Sequence, residues 1–147
     1  MAESRALAGD SSHARWMRRC EEHAVEARRA GNSAVGAVLV LDGIVIAEAA
    51  EESPAGPRPF AHAELLVVEQ ALSLRPRRDL GAATLYSNVE PCILCGYAIR
   101  EAGIGTLVLG RAAGEIGSIR ARFPVITADW VERWGPPPTV LWMEEDD

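Results

Sequence analysis

ATLYSNVEPCILCGYAIREAGIGTLVLG, residues 83–110, is the stretch whose reading decides the fold. Residues 83–87 and 106–110 are short apolar runs of the kind that buried strands need, and residues 92–102 between them have the length and spacing of a helix. Strands joined through a helix usually pair in parallel by a right-handed crossover, and a parallel pair requires cover on both faces. Upstream, AVGAVLVL (34–41) and IVIAEAA (44–50) flank Asp42-Gly43, a pair that supplies positive φ and closes a two-residue hairpin turn. Residues 61–74 show helical spacing at Leu65, Val68, Ala71 and Leu72 and stop ahead of Pro76. Residues 12–30 form an earlier helix with Trp16, Cys20, Ala24 and Ala27 on one stripe, and Gly31 ends it. The order helix, hairpin, helix, strand, helix, strand predicts an α/β fold with a mixed sheet between helical layers.

The flanks are less regular. Residues 1–11 are small and polar without period and read as a loose tail, leaving 12–147 as a single domain. ESPAGPRPF (52–60) carries three prolines and a glycine and reads as a loop leading into a site. Beyond residue 110, GEIGSIRARF (114–123) reads as loop, DWVERW (129–134) as a short helix and PTVLWM (138–143) as a last strand.

At 147 residues with 48% hydrophobic and 24% charged residues, the chain has globular composition and room for one core. Its net charge is −6, and all 15 basic residues are arginines. Phosphate backbones are bound by clustered cations, so this charge counts against a nucleic-acid partner and favours a small, neutral or weakly charged one. No apolar stretch reaches the roughly 18 residues of a membrane span, and no N-terminal run has the order of a signal peptide. Three cysteines, Cys20, Cys92 and Cys95, are an odd number. In the cytoplasmic location these features predict, they read as thiols or metal ligands.

The chemistry lies in two short motifs, His62-Ala63-Glu64 and Pro91-Cys92-Ile93-Leu94-Cys95, each opening a predicted helix. The positive end of a helix stabilises thiolates. One imidazole and two thiolates give Zn²⁺ three protein ligands and leave a fourth tetrahedral position for water, the pattern of a catalytic rather than a structural site. Glu64, two residues from His62, is the natural proton shuttle. Cys20 on its apolar stripe reads as core, and His13 and His23 as members of a solvated helix face. H-x-E followed by P-C-x-x-C is the pattern of the zinc nucleobase deaminases.

On these residues the sequence resembles the cytidine-deaminase-like superfamily. VGAVLV, FAHAELLVVEQA and TLYSNVEPCILCGYAI, with the following TLVLG, are similar to the branch holding guanine deaminases, fungal-type cytosine deaminases and tRNA adenosine deaminases. The resemblance implies a three-layer α/β/α fold with a mixed five-stranded sheet, and commonly a homodimer. It implies His62, Cys92 and Cys95 as zinc ligands and Glu64 as the acid/base of a hydrolytic deamination that releases ammonia.

The expected substrate is a small amino-heterocycle of the guanine, cytosine, isocytosine or triazine type. Where guanine and tRNA relatives usually carry an Asn that bonds the base, this chain has Glu51, an acceptor-only group suited to a ring edge rich in N–H donors. Glu51 reads equally as a solvated loop residue. Phe60 either stacks on a ring or packs at the helix start. Ala63 falls where relatives contact ring atoms, and Asn88 and Glu90 flank the zinc turn as substrate contacts or supports of the metal loop. Trp142 and Glu144 are candidates for a C-terminal lid over the base, against the alternative of a strand running into an acidic tail. Two other functions stay open: a tRNA adenosine deaminase, opposed here by the charge and the absence of a basic terminal helix, and a catalytically silent zinc-binding protein.

Overall fold

The computed structural model describes residues 3–5 and 11–143. Its strands are β1 (Glu3–Arg5), β2 (Gly36–Leu41), β3 (Ile44–Ala50), β4 (Thr84–Val89), β5 (Thr106–Arg111) and β6 (Thr139–Trp142). Its α-helices are α1 (Ser11–Arg29), α2 (Ala63–Leu74) and α3 (Ile93–Ala102). The strands form one sheet in the order β1-β6-β5-β4-β2-β3. β2 runs antiparallel to β3 and β4, whereas β4, β5, β6 and β1 are parallel neighbours. Asp42 and Gly43 both take positive φ, 53° and 76°, so the β2–β3 hairpin closes in the expected two residues.

The mixed α/β/α fold is the one expected, with one addition: Glu3–Arg5 pairs with β6 and adds a sixth strand at the edge. Residues 6–10, also read as tail, lie outside the described residues. The helix expected over 129–134 is a correction. Only Glu132–Trp134 closes a 3₁₀ turn, and Gly135 at φ 68° leads the chain away from it.

The two faces of the sheet are dressed differently. On one, Trp16, Met17 and Cys20 of α1 pack on Val38, Val40, Tyr86 and Val108. α1 approaches β2 so closely that a side chain at Gly36 would collide with the Cys20 carbonyl and His23. On the other, Val67 and Ala71 of α2 and Ile99 of α3 pack on Leu39, Leu85, Leu107 and Leu109. Period-2 alternation decides which strand residues go where: Leu85 and Ser87 face α2, Tyr86 faces α1. α2 and α3 both begin beside the C-terminal end of β4, the end of an open α/β sheet where ligands bind.

Candidate active site

His62 is the residue before the first turn of α2, with extended backbone (φ −72°, ψ 144°). Cys92 holds the same position on α3 (φ −70°, ψ 176°), and Cys95 lies within its first turn. The two helix starts therefore converge. His62 Nδ1 is 3.4 Å from each of the Cys92 and Cys95 sulfurs, and the ligating atoms of the three lie within 4.8 Å of one another. An imidazole nitrogen and two sulfurs at this spacing suit a tetrahedral Zn²⁺ with one position left open.

Electrostatics prepare the thiols. A hydrogen bond from Cys95 lowers the Cys92 thiol to about 5 against the pull of burial, with the His62 ring contributing, while the same pairing and burial push Cys95 upward. Pairing thus favours the thiolate at Cys92 over that at Cys95, and metal ligation needs both thiols deprotonated.

Glu64 is 4% exposed and lies in the first turn of α2. Burial raises its carboxyl to about 8, with the Glu51 carboxylate adding to the rise. Ser87 Oγ lies 3.4 Å from it and donates to the Val89 carbonyl at 2.7 Å. A carboxyl held near neutrality by desolvation can both take and return a proton.

His62, Cys92, Glu64, Glu51 and Glu90 share one cavity of about 180 Å³. That is smaller than the roughly 300–1,000 Å³ of sites for drug-sized ligands, so it has room for one base and little more. Glu51 Oε1 accepts the Ala63 N–H at 2.7 Å, and burial pushes the Glu51 carboxyl up. It therefore organises the start of α2 as well as facing the cavity.

Other expected substrate contacts stand elsewhere. Asn88 accepts the Gly36 N–H at 2.8 Å and donates to the Ala34 carbonyl at 3.0 Å, so its amide ties β4 to the start of β2. Ala63 is fully buried behind the site with its N–H taken by Glu51. Phe60 is 63% exposed and is not part of the cavity lining. Trp142 is a correction: strand alternation turns it into the core on the α2–α3 face, 2% exposed, with the Arg120 guanidinium 3.7 Å above its ring. Glu144 lies outside the described residues. Glu90 lines the cavity, yet its carboxylate oxygens are engaged by backbone N–H groups of 113, 119 and 120.

The sequence reading missed Ser87, which lies beside Glu64, and the cavity-lining Ser33, Val35, Val89, Ala113 and Ile116. Alternation along β4 was a sufficient signal for Ser87. Ala113 and Ile116 lie on irregular backbone, where no period marks them.

An α/β/α sheet with a His/Cys/Cys cluster at two converging helix starts, and a buried glutamate beside it, defines a zinc-deaminase type of protein. The family described as the cytidine and deoxycytidylate deaminase zinc-binding region matches residues 10–111, and the chain belongs to that family. It is 35% identical over 95 residues to the tRNA-specific adenosine deaminase of Bacillus subtilis (strain 168), covering 65% of this chain and 59% of that protein. The tRNA-specific adenosine deaminase of Agrobacterium fabrum is 38% identical over 100 residues, 66% of each chain. Among solved structures, a tRNA A34 deaminase studied for A-to-I editing superposes with a TM-score of 0.78 at 28% identity, over 89% of this chain and 98% of that one.

These relatives overturn the expectation of a small free heterocycle and of no nucleic-acid partner, because they bear the names of enzymes that act on transfer RNA. The charge argument failed because a net charge is a sum over the whole chain. Residues 144–147 are four consecutive acids, whereas 11–143 carry 14 arginines against 15 acidic residues. Of those acids, Glu51, Glu64 and Glu90 are buried and do not face a polyanion.

Proposed function

We propose that the chain is a zinc-dependent deaminase of adenosine in transfer RNA. The observation that carries the reading is the placement of Glu64, buried beside the His62, Cys92 and Cys95 cluster in a cavity sized for one base. A base buried in a stack is out of reach, so a cavity of this kind takes one that has left it. The relatives named above support adenosine as that base and the wobble position as its place.

A zinc ion held by His62, Cys92 and Cys95 supplies the Lewis acidity that makes a water nucleophilic near neutral pH. Glu64 takes one proton of the attacking water and delivers it to the ring nitrogen, then takes the proton of the hydroxyl now on the ring carbon and passes it to the amino group, which leaves as ammonia as the C–N bond breaks and the carbonyl forms. Ser87 Oγ stands beside the Glu64 carboxylate. Glu51, held by the Ala63 N–H, offers acceptor oxygen to N–H groups on the base. Phe60, exposed two residues before the zinc histidine, gives a stacking surface to a neighbouring base.

A transfer-RNA substrate and a pair of reduced thiol ligands both suit a cytoplasmic location, and no described helix is long and apolar enough to cross a membrane. We take residues 12–147 as one deaminase domain, to whose sheet Glu3–Arg5 adds an edge strand and whose first helix begins at Ser11. We also take the chain as a homodimer, because α3 presents Leu94 and Tyr97 one turn apart at 42% and 47% exposure. Light scattering on the purified protein checks that mass. For the activity, the test is an anticodon stem-loop RNA with adenosine at the wobble position, incubated with zinc-loaded protein and sequenced. Conversion of that adenosine to inosine, read as guanosine, is expected; an unchanged RNA under saturating protein overturns the reading.

A further inference from the structure

Glu90 ends the β4 connection two residues before Cys92, and its carboxylate is 1% exposed. Burying a carboxylate is costly unless its oxygens are hydrogen-bonded, and here three backbone N–H groups donate to it. Ala113 reaches Oε1 at 2.9 Å, while Ile119 and Arg120 reach Oε2 at 2.7 and 3.0 Å. All three lie on the irregular chain after β5. The Glu90 N–H donates in turn to the Arg111 carbonyl at 2.7 Å.

The same segment is fastened to the metal turn by further contacts. Gly117 forms a bridge with Cys92, and Ser118 donates both its N–H (3.0 Å) and its hydroxyl (2.6 Å) to the Pro91 carbonyl. Gly117 lies so near the Glu90 carboxylate that any side chain there would collide with it. Between the anchors at 113 and 117–120, the chain contributes Ala113 and the 58% exposed Ile116 to the cavity. One wall of the cavity is thus built of chain without a ladder of its own, and its fixed points converge on a single carboxylate.

We propose that Glu90 is a positioning residue: it latches residues 113–120 onto the Pro91-Cys92 turn and so fixes the Ala113 and Ile116 wall against which the substrate base is received. This inference rests on the deaminase reading for its kinetic consequence, but the latch itself is visible without substrate. Glu90→Gln keeps the shape and replaces one acceptor oxygen with a donor that faces backbone N–H groups. Gly117→Ala attacks the same contact from the loop side and leaves the acid in place.

Three readouts are taken on the zinc-loaded full chain: amide hydrogen exchange over 113–120, zinc per chain, and steady-state kinetics on the stem-loop RNA. Both variants are expected to exchange at least about 10-fold faster at these amides. Zinc is expected to stay stoichiometric, with KM raised about 10-fold and kcat changed by less than about 3-fold. Ile116→Ala, which leaves the latch intact, is expected to raise KM without faster exchange. Unchanged exchange in both variants overturns the latch. Faster exchange with an unaltered KM, or activity lost in step with zinc, overturns its role in receiving substrate. If the parental chain leaves the RNA unaltered, the reading of function fails, and the latch stands or falls on the exchange measurement alone.

Discussion

Residues 34–110 and residues 111–143 solve the same backbone problem by different means. In the first region, apart from the loop before α2, the polar groups of the chain are paired mostly in strand ladders and helices, from the β2–β3 hairpin to the β4–α3–β5 crossover. In the second, strand structure returns only at β6, and two buried side chains from the first region stand in for a ladder. Glu90 accepts N–H groups from 113, 119 and 120. Arg100 does the converse: its guanidinium donates to the carbonyls of Val125, Ile126, Ala128 and Gly135 and lies 4.8 Å from the Trp134 ring centre. A carboxylate collects donors and a guanidinium collects acceptors, so each satisfies the half of the peptide group that the other cannot. The regular region supplies the reacting groups, and the irregular one, held by charges rooted in the first, completes the cavity around them.

The contrast can be broken most severely from the regular side. Cys95→Ala removes a ligand from the cluster, and zinc content measured on the purified variant is expected to fall far below one per chain with deamination lost. Retention of stoichiometric zinc would show that the cluster is not the metal site. Glu64→Gln keeps the ligands and removes the proton carrier; kcat is expected to drop by about 10²–10⁴-fold while zinc content stays unchanged. Near-parental turnover in that variant would remove Glu64 from the chemistry.

On the irregular side, Arg100→Ala leaves several carbonyls without their donor, and chemical denaturation should show a loss of about 3 kcal/mol. Zinc content should hold, since no ligand is touched; a stability change within error would mean that water replaces the guanidinium at little cost. The smallest effect is expected on the far face of the sheet. Arg19 hydrogen-bonds Glu48 and, with His23, lowers its carboxyl from the ordinary 4.5 to about 2. A lowered folded value means stability that is complete above about pH 4.5 and lost as pH falls toward 2. At this half-open site Glu48→Gln should cost less than about 1 kcal/mol at neutral pH and flatten the acid limb of the stability curve. An unaltered acid limb would remove Glu48 from the balance.

Legibility in the sequence followed the same division. The hairpin, α2, α3 and the β4–β5 pair were readable because apolar period and turn chemistry mark them, and the His62, Cys92 and Cys95 cluster because a metal site demands particular residue types at helix starts. Within 111–143 the last strand was readable and stands as β6, but the course of the irregular chain before it was not, since that depends on Glu90 and Arg100, which leave no local pattern. Trp142 stood between two readings, a lid and a strand running into an acidic tail, and its place on β6, turned inward, favours the strand. Asn88 flanks the metal turn but faces β2, a distinction that strand alternation makes and motif spacing does not. The substrate was misjudged because net charge averages over surfaces that a polyanion does not touch.

The central claim is that this cavity receives an adenosine presented by transfer RNA. Its most direct test is a side-by-side measurement of kcat/KM for the wobble-adenosine stem-loop, free adenosine and free bases with one preparation of zinc-loaded protein. Binding energy from the parts of the RNA outside the cavity should favour the stem-loop by at least about 100-fold. A faster reaction with any free base, with the stem-loop left intact, would contradict the claim.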